Sequence, residues 1–502
     1  MAPLDLNTPI GIVGAGTMGA GIAQVAAVAG HQVLVHDDIP GVAAEAIDRI
    51  KQRLERLAEK GRLDGPAAER AGNALTAVGS ITDLAGCELV VEAIVEDLEA
   101  KRELFARLET VCGPDAVLAS NTSSLSITDV AAHLDHPERV AGLHFFNPAP
   151  LLPLVEVVRG EATDQAVADM LSDTASAWGK KPVKCTSTPG FIVNRVARPY
   201  YAEGFRLLSA NVIDPPTLDG ILREAGGFRM GPCELTDLIG HDVNAAVTRS
   251  VWEAFDRDPR FEPSELQEAM VAAGRLGQKT GGGFYEGTVN PEPATAGPCP
   301  RPHTVTVQGR GGPLEALLKR LEQSNVRVRR AREFGPIRIR LSENLVMQLT
   351  DGRTAARVTA ETGETTVLVD LALDFGTARR IAIAAPPDAP LAAVEVAAGC
   401  LQAAGVAVTV LADTPGLVVA RTVAMLAAFG SEAVEAGVAS AADVDTAMRL
   451  GVNYPRGPVE WGGDLGWTWV AGVLDALTEL DALRYRVPDH LRQDAEEATA
   501  NG

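Results

Sequence analysis

This sequence contains no cluster of cysteines. Its six cysteines lie far apart and form no C-x-x-C pair, so the sequence indicates neither a zinc site nor a redox dithiol. Most of these cysteines are expected to be small buried hydrophobic residues. We therefore expect a function that uses no metal ion.

Positive charge and long apolar runs are also scarce. The 66 acidic and 45 basic residues give a formal charge of −21, whereas binding to nucleic acid or to an anionic membrane needs clustered positive charge. No uncharged apolar run in the sequence reaches membrane-spanning length, and the first residues do not resemble a signal peptide. We expect a cytoplasmic protein with neither a nucleic-acid nor a membrane partner.

The most informative local motif is a glycine-rich turn. An apolar strand from Ile10 leads into Gly14-Ala15-Gly16-Thr17-Met18-Gly19, a small-residue helix, and a second strand that ends near Asp37. In a G-x-G-x-x-G turn, Gly14 permits the tight turn, Gly16 lets a pyrophosphate approach the backbone, and Gly19 lets helix and strand pack closely. An acid at the position of Asp37 accepts ribose hydroxyls and repels a 2′-phosphate. The motif therefore predicts NAD rather than NADP as the cofactor.

Alternating apolar and helical stretches predict the architecture of the first half. Apolar runs at 89–91, 116–118 and 140–143 alternate with helical stretches, which is typical of a parallel sheet covered on both faces. A chain of 502 residues should form two to four domains. We predict a doubly wound, Rossmann-like α/β domain over residues 1–187. An all-helical domain with long amphipathic stretches, such as 194–210 and 216–224, should follow over residues 188–287.

The second half partly repeats the first. Residues 288–303 hold five prolines and predict a stiff linker. A degenerate α/β segment is expected over residues 304–412, because its turn Gly309-Arg310-Gly311-Gly312 has Leu314 where the third glycine would stand. Residues 188–195 realign with residues 414–421 without gaps, which predicts a second helical repeat over 413–490 and a flexible tail over 491–502. Asn194 corresponds to Ala420 in this register.

Two side chains are candidates for a general base and its partner. Oxidation of an alcohol by hydride transfer needs a base for the hydroxyl proton, and a histidine oriented by a carboxylate is the usual solution near neutral pH. His144 lies at the carboxyl end of a predicted strand, where ligands bind in open α/β sheets. Glu156 follows directly after another short apolar run. Spacing alone leaves open that His144 is a hydrogen-bonded structural residue. Ser123 and Asn194 are likewise either ligand groups or residues that only start helices.

Taken together, the residues resemble the 3-hydroxyacyl-CoA dehydrogenase family. The likeness runs in order through Asn121-Thr122-Ser123-Ser124-Leu125, His144-Phe145-Phe146-Asn147-Pro148, Pro189-Gly190-Phe191-Ile192-Val193-Asn194-Arg195 and Gly231-Pro232. The resemblance implies NAD-dependent oxidation of an (S)-3-hydroxyacyl-CoA thioester to the 3-ketoacyl-CoA. It also implies that His144 is the general base, that Glu156 orients it, and that Ser123 and Asn194 hold the substrate's 3-oxygen and thioester region.

The same resemblance implies further contacts to the cofactor and to CoA. The implied cofactor contacts are Ala93, Glu96, Lys101, Asn121, Asn147 and, in the tail of the helical domain, Lys279. Lys60 matches a CoA-facing lysine of the family, with a solvated surface lysine as the alternative. Leu152 and Pro153 depart from the family's usual methionine and lysine, so acyl-chain contacts there are expected to differ.

The two-repeat layout resembles a long bacterial branch of the family that is associated with phenylacetate catabolism. This resemblance implies 3-hydroxyadipyl-CoA or a short-chain 3-hydroxyacyl-CoA as substrate, with 3-hydroxybutyryl-CoA in general fatty acid β-oxidation as the alternative. An adipyl group carries a distal carboxylate, for which Arg198 and Arg206 are candidate partners. Shorter family members dimerise through their helical domains, so we expect either a homodimer or an intrachain pseudo-dimer of the two helical repeats. The loss of Asn194's counterpart favours one active site per chain.

Two other kinds of protein are alternatives to this interpretation. A non-catalytic structural relative would be free to lose residues of the site, yet Ser123, His144, Glu156 and Asn194 are all present. A β-hydroxyacid dehydrogenase that acts on free acids has a similar dinucleotide domain but a lysine catalyst on a helix. The sequence has no lysine in the place of Asn194, which argues against that enzyme.

Overall fold

The computed structural model describes residues 3–287, 291–331, 333 and 335–493. The chain divides into two compact units, of which the first comprises Met1–Arg195 and Ala433–Val452 and the second Val196–Glu432 and Asn453–Gly502. Each unit contains one large β-sheet.

The first unit is built on an eight-stranded sheet. Its strands are β1 (Ile10–Val13), β2 (Val33–His36), β3 (Leu75–Val78), β4 (Leu89–Glu92), β5 (Val117–Ser120), β6 (Val140–Phe145), β7 (Leu154–Arg159) and β8 (Lys181–Thr186). They lie in the order β3-β2-β1-β4-β5-β6-β7-β8. The strand order reverses between β1 and β4, and ligands of doubly wound sheets bind at the carboxyl ends of the strands at such a switch point.

Helices connect the strands and cover the sheet. They are α1 (Thr17–Ala29), α2 (Val42–Glu59), α3 (Gly65–Asn73), α4 (Leu98–Val111), α5 (Ile127–Ala131) and α6 (Gln165–Ala177), with 3₁₀ turns at Ile81–Leu84 and Pro137–Arg139. Strands β1, β4 and β5 are buried along their whole length. Burial on both faces explains why these strands are continuous apolar runs rather than alternating ones.

One pair of strands lies outside the predicted parallel part of the sheet. The strands from β3 to β6, which include all the apolar runs used for the prediction, are parallel, whereas β6 and β7 are antiparallel. The short connection from Phe145 to Leu154 contains no helix, and parallel strands need a longer crossover connection. In the antiparallel register His144 and Glu156 are direct cross-strand partners.

The helical part that follows consists of α7 (Val193–Val196), α8 (Arg198–Ser209), α9 (Pro215–Glu224), α10 (Pro232–Ile239), α11 (His241–Ala254) and α12 (Glu265–Ala272), with 3₁₀ turns at Pro259–Phe261 and Gln278–Thr280. One continuous helix was predicted over 194–210, whereas the structure has an interruption at Ala197. Pro199 explains the interruption, because it has no backbone N–H to donate to the preceding turn.

A second sheet lies in the second unit. It contains β9 (Thr304–Gln308), β10 (Arg327–Arg330), β11 (Arg338–Ser342), β12 (Leu345–Leu349), β13 (Thr365–Val369), β14 (Arg380–Ala384) and β15 (Ala407–Leu411), together with helices α13 (Leu314–Gln323), α14 (Ala355–Thr362) and α15 (Leu391–Ala403). The order is β10-β9-β11-β12-β13-β14-β15 with mixed pairing. Residues 291–303 form no helix or strand, yet Ala296 donates a backbone hydrogen bond to Val408.

The remaining helices are α16 (Val419–Glu435), α17 (Ala441–Gly451), α18 (Pro458–Leu465) and α19 (Trp467–Leu477). In the ungapped register of the internal repeat, α16 to α19 begin where Val193, Pro215, Pro232 and His241 begin helices. The predicted architecture, with an α/β domain, a helical domain, a second α/β segment and further helices, is confirmed.

Part of the second helical repeat belongs to the first unit. Helix α17 packs against β7 and β8, and the backbone N–H of Thr186 donates to the carbonyl of Val438 at 2.9 Å. A Cβ atom added to Gly451 would lie 2.7 Å from Leu154 and 3.1 Å from Val193. The end of α17 therefore packs closely against the strand that carries Glu156 and the helix that carries Asn194.

Candidate functional site

The glycine turn joins β1 to α1 with the geometry that a dinucleotide needs. Gly14 has φ of 94° and lies against the carbonyl of Ala93, 2.6 Å from where its Cβ would be. A Cβ at Gly19 would come within 1.8 Å of the Gly14 carbonyl oxygen, whereas nothing lies within 4 Å of a Cβ at Gly16. The open space at Gly16 faces the start of a 13-residue helix with no acid in its first turn. This arrangement fits a pyrophosphate.

Asp37 stands at the end of β2 beside this turn. Its Oδ2 accepts a hydrogen bond from the Ala15 backbone at 2.8 Å, and its Oδ1 accepts one from Ile39 at 3.0 Å. The carboxylate is partly exposed and so has room to accept further hydrogen bonds. Asp37 thus supports the glycine turn and is also available to a ribose.

The imidazole of His144 is paired with the carboxylate of Glu156. Nδ1 of His144 lies 2.7 Å from Oε2 of Glu156, and both side chains are buried, at 7% and 1% exposure. The rings of Phe146 and Phe191 lie 4.5 and 5.8 Å from the imidazole, measured between centroids. With Nδ1 bonded to the carboxylate, Nε2 is the nitrogen left to exchange a proton with a ligand.

Glu156 also holds the beginning of the helix that carries Asn194. Its second oxygen, Oε1, accepts hydrogen bonds from the backbone N–H groups of Ile192 and Val193 at 3.1 and 2.9 Å. These are N–H groups at a helix start, which have no partner within the helix. Asn194 donates from Nδ2 to the backbone carbonyl of Ser123 at 3.3 Å. The four candidate residues predicted at this site are therefore connected through hydrogen bonds in one unit.

The loop that contains Ser123 is held by Glu96. Oε1 of Glu96 accepts hydrogen bonds from the hydroxyl of Thr122 and from both the backbone and the hydroxyl of Ser124, as well as from the backbone of Ser123 at 2.9 Å. Burial by itself would raise the pKa of the Glu96 carboxyl, but the Thr122 hydrogen bond, the nearby charge of Lys101 and the other loop hydrogen bonds lower it below its usual value. Glu96 is therefore ionised and holds this loop in place through hydrogen bonds.

Lys101 is a buried ion-pair residue. It is 1% exposed, with Nζ 2.5 Å from Glu92 and 3.4 Å from Glu96. Glu92, which ends β4, also accepts from the Ser120 hydroxyl at 2.7 Å. Sequence reasoning did not identify Glu92, although its place at a strand end next to the glycine turn was a usable signal. Lys101 is linked to the Ser123 loop through Glu96, and its contact with the cofactor stays a prediction.

The other predicted cofactor residues are spread along the strand ends of this unit. Ala93 follows β4 and bonds to β1 through its backbone N–H. Asn121 follows β5, and its Oδ1 accepts from the backbone of Phe145 at 2.8 Å. Asn147 follows β6 and lines a cavity in the same unit. Lys279 belongs to the second unit, where its ammonium pairs with Asp242, and its contact with the cofactor stays a prediction.

A cavity of about 750 Å³ lies between α1, the second half of α2 and the loop after β6. Three basic side chains line it, namely Arg53, Arg62 and Lys180. Lys60, the predicted CoA-facing residue, is exposed at the C-terminus of α2 and is not part of this lining. Sequence reasoning missed Arg53 and Arg62, although both are on or next to the same helix.

Among the described residues, no cluster of three histidine, cysteine or acidic side chains has the arrangement of a metal site. Across the same residues, no helix is long and apolar enough to cross a membrane.

Models of known protein families match most of the chain. Residues 9–188 match the NAD-binding domain of 3-hydroxyacyl-CoA dehydrogenase, and residues 190–287 and 416–500 both match the C-terminal domain of that enzyme. Residues 347–415 match the reduced Rossmann-fold domain of 3-hydroxybutyryl-CoA dehydrogenase.

Individual relatives agree with these matches. A 3-hydroxyadipyl-CoA dehydrogenase of Escherichia coli is 43% identical over 97% of both chains. The mitochondrial hydroxyacyl-coenzyme A dehydrogenase of Sus scrofa is 41% identical over 55% of this chain and 90% of its own. A crystal structure of a 3-hydroxybutyryl-CoA dehydrogenase from Escherichia coli superposes with a TM-score of 0.90 at 42% identity, covering 99% of this chain and 100% of that one.

The glycine turn, the family models and the extent of these similarities lead to the same conclusion. The chain belongs to the 3-hydroxyacyl-CoA dehydrogenase family and is an NAD-dependent oxidoreductase of 3-hydroxyacyl-CoA thioesters.

Proposed function

We propose that this enzyme oxidises 3-hydroxyadipyl-CoA to 3-ketoadipyl-CoA in the cytoplasm, as a step of phenylacetate catabolism. The choice of substrate rests on the similarity, over 97% of both chains, to the relative named 3-hydroxyadipyl-CoA dehydrogenase. Two of the relatives discussed above cover this chain end to end, and the solved one is named for 3-hydroxybutyryl-CoA. The four-carbon thioester is therefore the second candidate substrate.

The buried pair of His144 and Glu156 supports the assignment of the general base. His144 takes the proton of the 3-hydroxyl group on Nε2, because Nδ1 is bonded to Glu156 at 2.7 Å. The carboxylate keeps the imidazole in this tautomer and offsets the charge of the imidazolium that forms. NAD held by the glycine turn and Asp37 would supply the acceptor for the hydride of C3, so that the C–H and O–H bonds would break as the C=O double bond forms.

Ser123 and Asn194 are proposed to bind the oxygens of the substrate. The hydroxyl of Ser123 and the amide of Asn194 are hydrogen-bond donors suited to the 3-oxygen and to the thioester carbonyl. Glu96 supports the first residue through the Ser123 backbone, and Glu156 supports the second through the start of α7. Both donors are therefore held by carboxylates before substrate arrives.

The CoA portion is proposed to bind along α2. Arg53 and Arg62 line the cavity of about 750 Å³ and supply local positive charge that this acidic protein otherwise has in short supply. A guanidinium binds phosphate with paired hydrogen bonds. We propose these two arginines, in addition to Lys60, as contacts for the CoA phosphates.

The second half is proposed to be a structural copy that forms an intrachain pseudo-dimer with the first helical domain. The C-terminal domain model matches residues 190–287 and 416–500, and the helices of the second match begin in the register of the first. Ala420 replaces Asn194 in that register, so the second copy lacks an essential donor. One active site per chain follows.

The test is NADH formation, followed by absorbance, with 3-hydroxyadipyl-CoA and 3-hydroxybutyryl-CoA as alternative substrates. His144→Ala should abolish turnover of either ester, whereas His133→Ala changes a histidine outside the site and should not. A wild-type enzyme that used 3-hydroxybutyryl-CoA with the higher kcat/KM would exclude the proposed substrate. Full activity of His144→Ala would exclude the proposed base.

A further inference from the structure

Helix α17 of the second helical repeat lies along β7 within the first unit. It packs against β7 and β8, and all three elements belong to that unit. A helix of the length of α17 rises ~16 Å and a strand of the length of β7 extends ~20 Å, so α17 is long enough to cover most of the strand that carries Glu156. Just before the helix, the carbonyl of Val438 accepts a hydrogen bond from the backbone of Thr186, which ends β8.

The two faces of β7 pack against different helices. Val155 belongs to one buried core cluster with Leu171 of α6. Successive side chains of a strand point to opposite faces, so Leu154 and Glu156 lie together on the other face. A Cβ atom added to Gly451, the last residue of α17, would lie 2.7 Å from Cδ2 of Leu154. The second repeat therefore lies against the face of β7 that carries the Glu156 side chain.

Gly451 also contacts the helix start that is bonded to Glu156. Its Cβ would lie 3.1 Å from Cγ2 of Val193, whose backbone N–H donates to Oε1 of Glu156 at 2.9 Å. Ordinary contacts begin at 3.4 Å, so a side chain at position 451 would press on both Leu154 and Val193. Oε2 of the same carboxylate bonds to His144 at 2.7 Å. Gly451 therefore gives room to the residues that hold Glu156 against His144.

The backbone itself does not require a glycine at this position. Gly451 is helical and is not among the glycines with positive φ, and glycine in a helix is less favourable than alanine. In the register of the internal repeat the corresponding residue is Ala225, so the repeat accommodates a methyl group there. Close packing against β7 and α7 is the feature of Gly451 that explains the glycine.

We infer that the second helical repeat takes part in the reaction, with Gly451 as the positioning residue through which α17 holds Glu156 in place. The inference rests on the proposed function, in which Glu156 orients His144, and extends it by giving the second repeat a role in turnover. A displacement of ~1 Å can slow an enzymatic reaction by about 100-fold, and the overlap between a methyl group at position 451 and Leu154 is smaller than this.

The experiment measures kcat and KM per folded enzyme in two matched pairs of full-length variants, with the ester that the wild type turns over faster. Gly451→Ala is compared with Gly463→Ala, whose Cβ meets nothing within 4 Å. Leu154→Ala is compared with Leu171→Ala, because both leucines are fully buried and only the first lies on the Glu156 face of β7. In Gly451→Ala and Leu154→Ala kcat should fall by about 10-fold, and it should stay near the wild-type value in both controls. The KM for NAD should not change, because the glycine turn lies elsewhere in the sheet.

Combination with Glu156→Gln separates positioning from a general effect on the structure. Because the orienting carboxylate is already lost in that variant, the addition of Gly451→Ala should change kcat by less than about twofold. A second loss as large as the first would show that Gly451 acts independently of Glu156, and it would overturn the inference.

The same variants separate the inference from the proposed function. Wild-type kcat in folded Gly451→Ala, together with a reduced kcat in Glu156→Gln, would overturn the role of Gly451 and leave that of Glu156 intact. Wild-type kcat in Glu156→Gln would overturn both. If Gly451→Ala does not fold, the two leucine variants decide, and equal kcat values in Leu154→Ala and Leu171→Ala would overturn the inference.

Discussion

Substitution of Glu156 separates two roles that one carboxylate performs. In Glu156→Gln, the amide oxygen can still accept from the backbone of Ile192 and Val193, which now bond to Oε1. The amide nitrogen then faces Nδ1 of His144 and donates to it, so the imidazole must carry its proton on Nε2. The base is then blocked, although the helix start is still held.

The size of each effect follows from the hydrogen bonds that are lost. A hydrogen bond to a charged group contributes about 1.5 to 3 kcal/mol, so Glu156→Gln should reduce kcat by at least about 10- to 100-fold. Glu156→Ala also leaves the two buried N–H groups unpaired, at about 1 to 3 kcal/mol each. It should therefore lower both kcat and the free energy of unfolding, the latter by about 2 to 6 kcal/mol.

The second half supplies a matched control. Asp370 accepts hydrogen bonds from the backbone of Val418, Val419 and Ala420, where the first two positions correspond to Ile192 and Val193, and Asp370 has no histidine partner among the described residues. Asp370→Ala should therefore lower stability, as measured by chemical denaturation, while the folded enzyme keeps its kcat. The steady-state rate of NADH formation gives kcat for each variant.

Either of two results would refute this reasoning. Wild-type kcat in Glu156→Gln would show that the carboxylate does not set the protonation of His144. A kcat in folded Asp370→Ala as low as that of Glu156→Gln would show that holding a helix start, rather than orienting a base, controls turnover.

Three further predictions concern stability. Gly451→Ala should destabilise the protein by about 1 to 3 kcal/mol, because its Cβ would overlap neighbouring side chains. Gly463→Ala places its Cβ in open space within a helix and should not destabilise the protein. Equal unfolding curves for the two variants would contradict this. Lys101→Met leaves the buried carboxylate of Glu92 without its ammonium partner and should lower the free energy of unfolding by about 3 to 5 kcal/mol, as measured by chemical denaturation. A decrease of less than about 1 kcal/mol would be evidence against a buried ion pair. Burial raises the pKa of Asp219 from 3.8 to about 7, so its stabilising contribution is complete below the unfolded value, declines as the pH rises above it and is lost once the pH has passed about 7. Wild type should therefore lose more Tm than Asp219→Asn between about pH 4 and about pH 7, and identical pH profiles would disprove the shift.

The glycine turn is the part of the site that could be derived from residues alone. Its three glycines and Asp37 belong to one continuous strand-helix-strand segment, and the hydrogen bond between Asp37 and the backbone of Ala15 lies within that segment. The pair of His144 and Glu156 was less accessible. The sequence suggested Glu156 as the partner of His144 but left open that this histidine is a structural residue, because their contact depends on the antiparallel pairing of β6 and β7.

Other features depended on contacts that no local pattern encodes. Lys101 forms a buried ion pair with Glu92, since residues nine apart meet only when the turn after β4 folds back. The expected contact of Lys101 with the cofactor stays a prediction. Arg198 was one of two equivalent candidates in the sequence. Arg198 is buried and takes part in none of the ion pairs among the described residues, whereas Arg206 pairs with Glu203.

Periodicity, turn residues and the internal repeat were sufficient to determine the class of fold, the cofactor and the order of domains, because these follow from short-range patterns of side-chain burial and backbone conformation. Tertiary structure decided which charges are neutralised and which remain available. That outcome depends on the dielectric surroundings and on partners from distant segments. Tertiary structure also decided that α17 of the second helical repeat packs in the unit that contains His144.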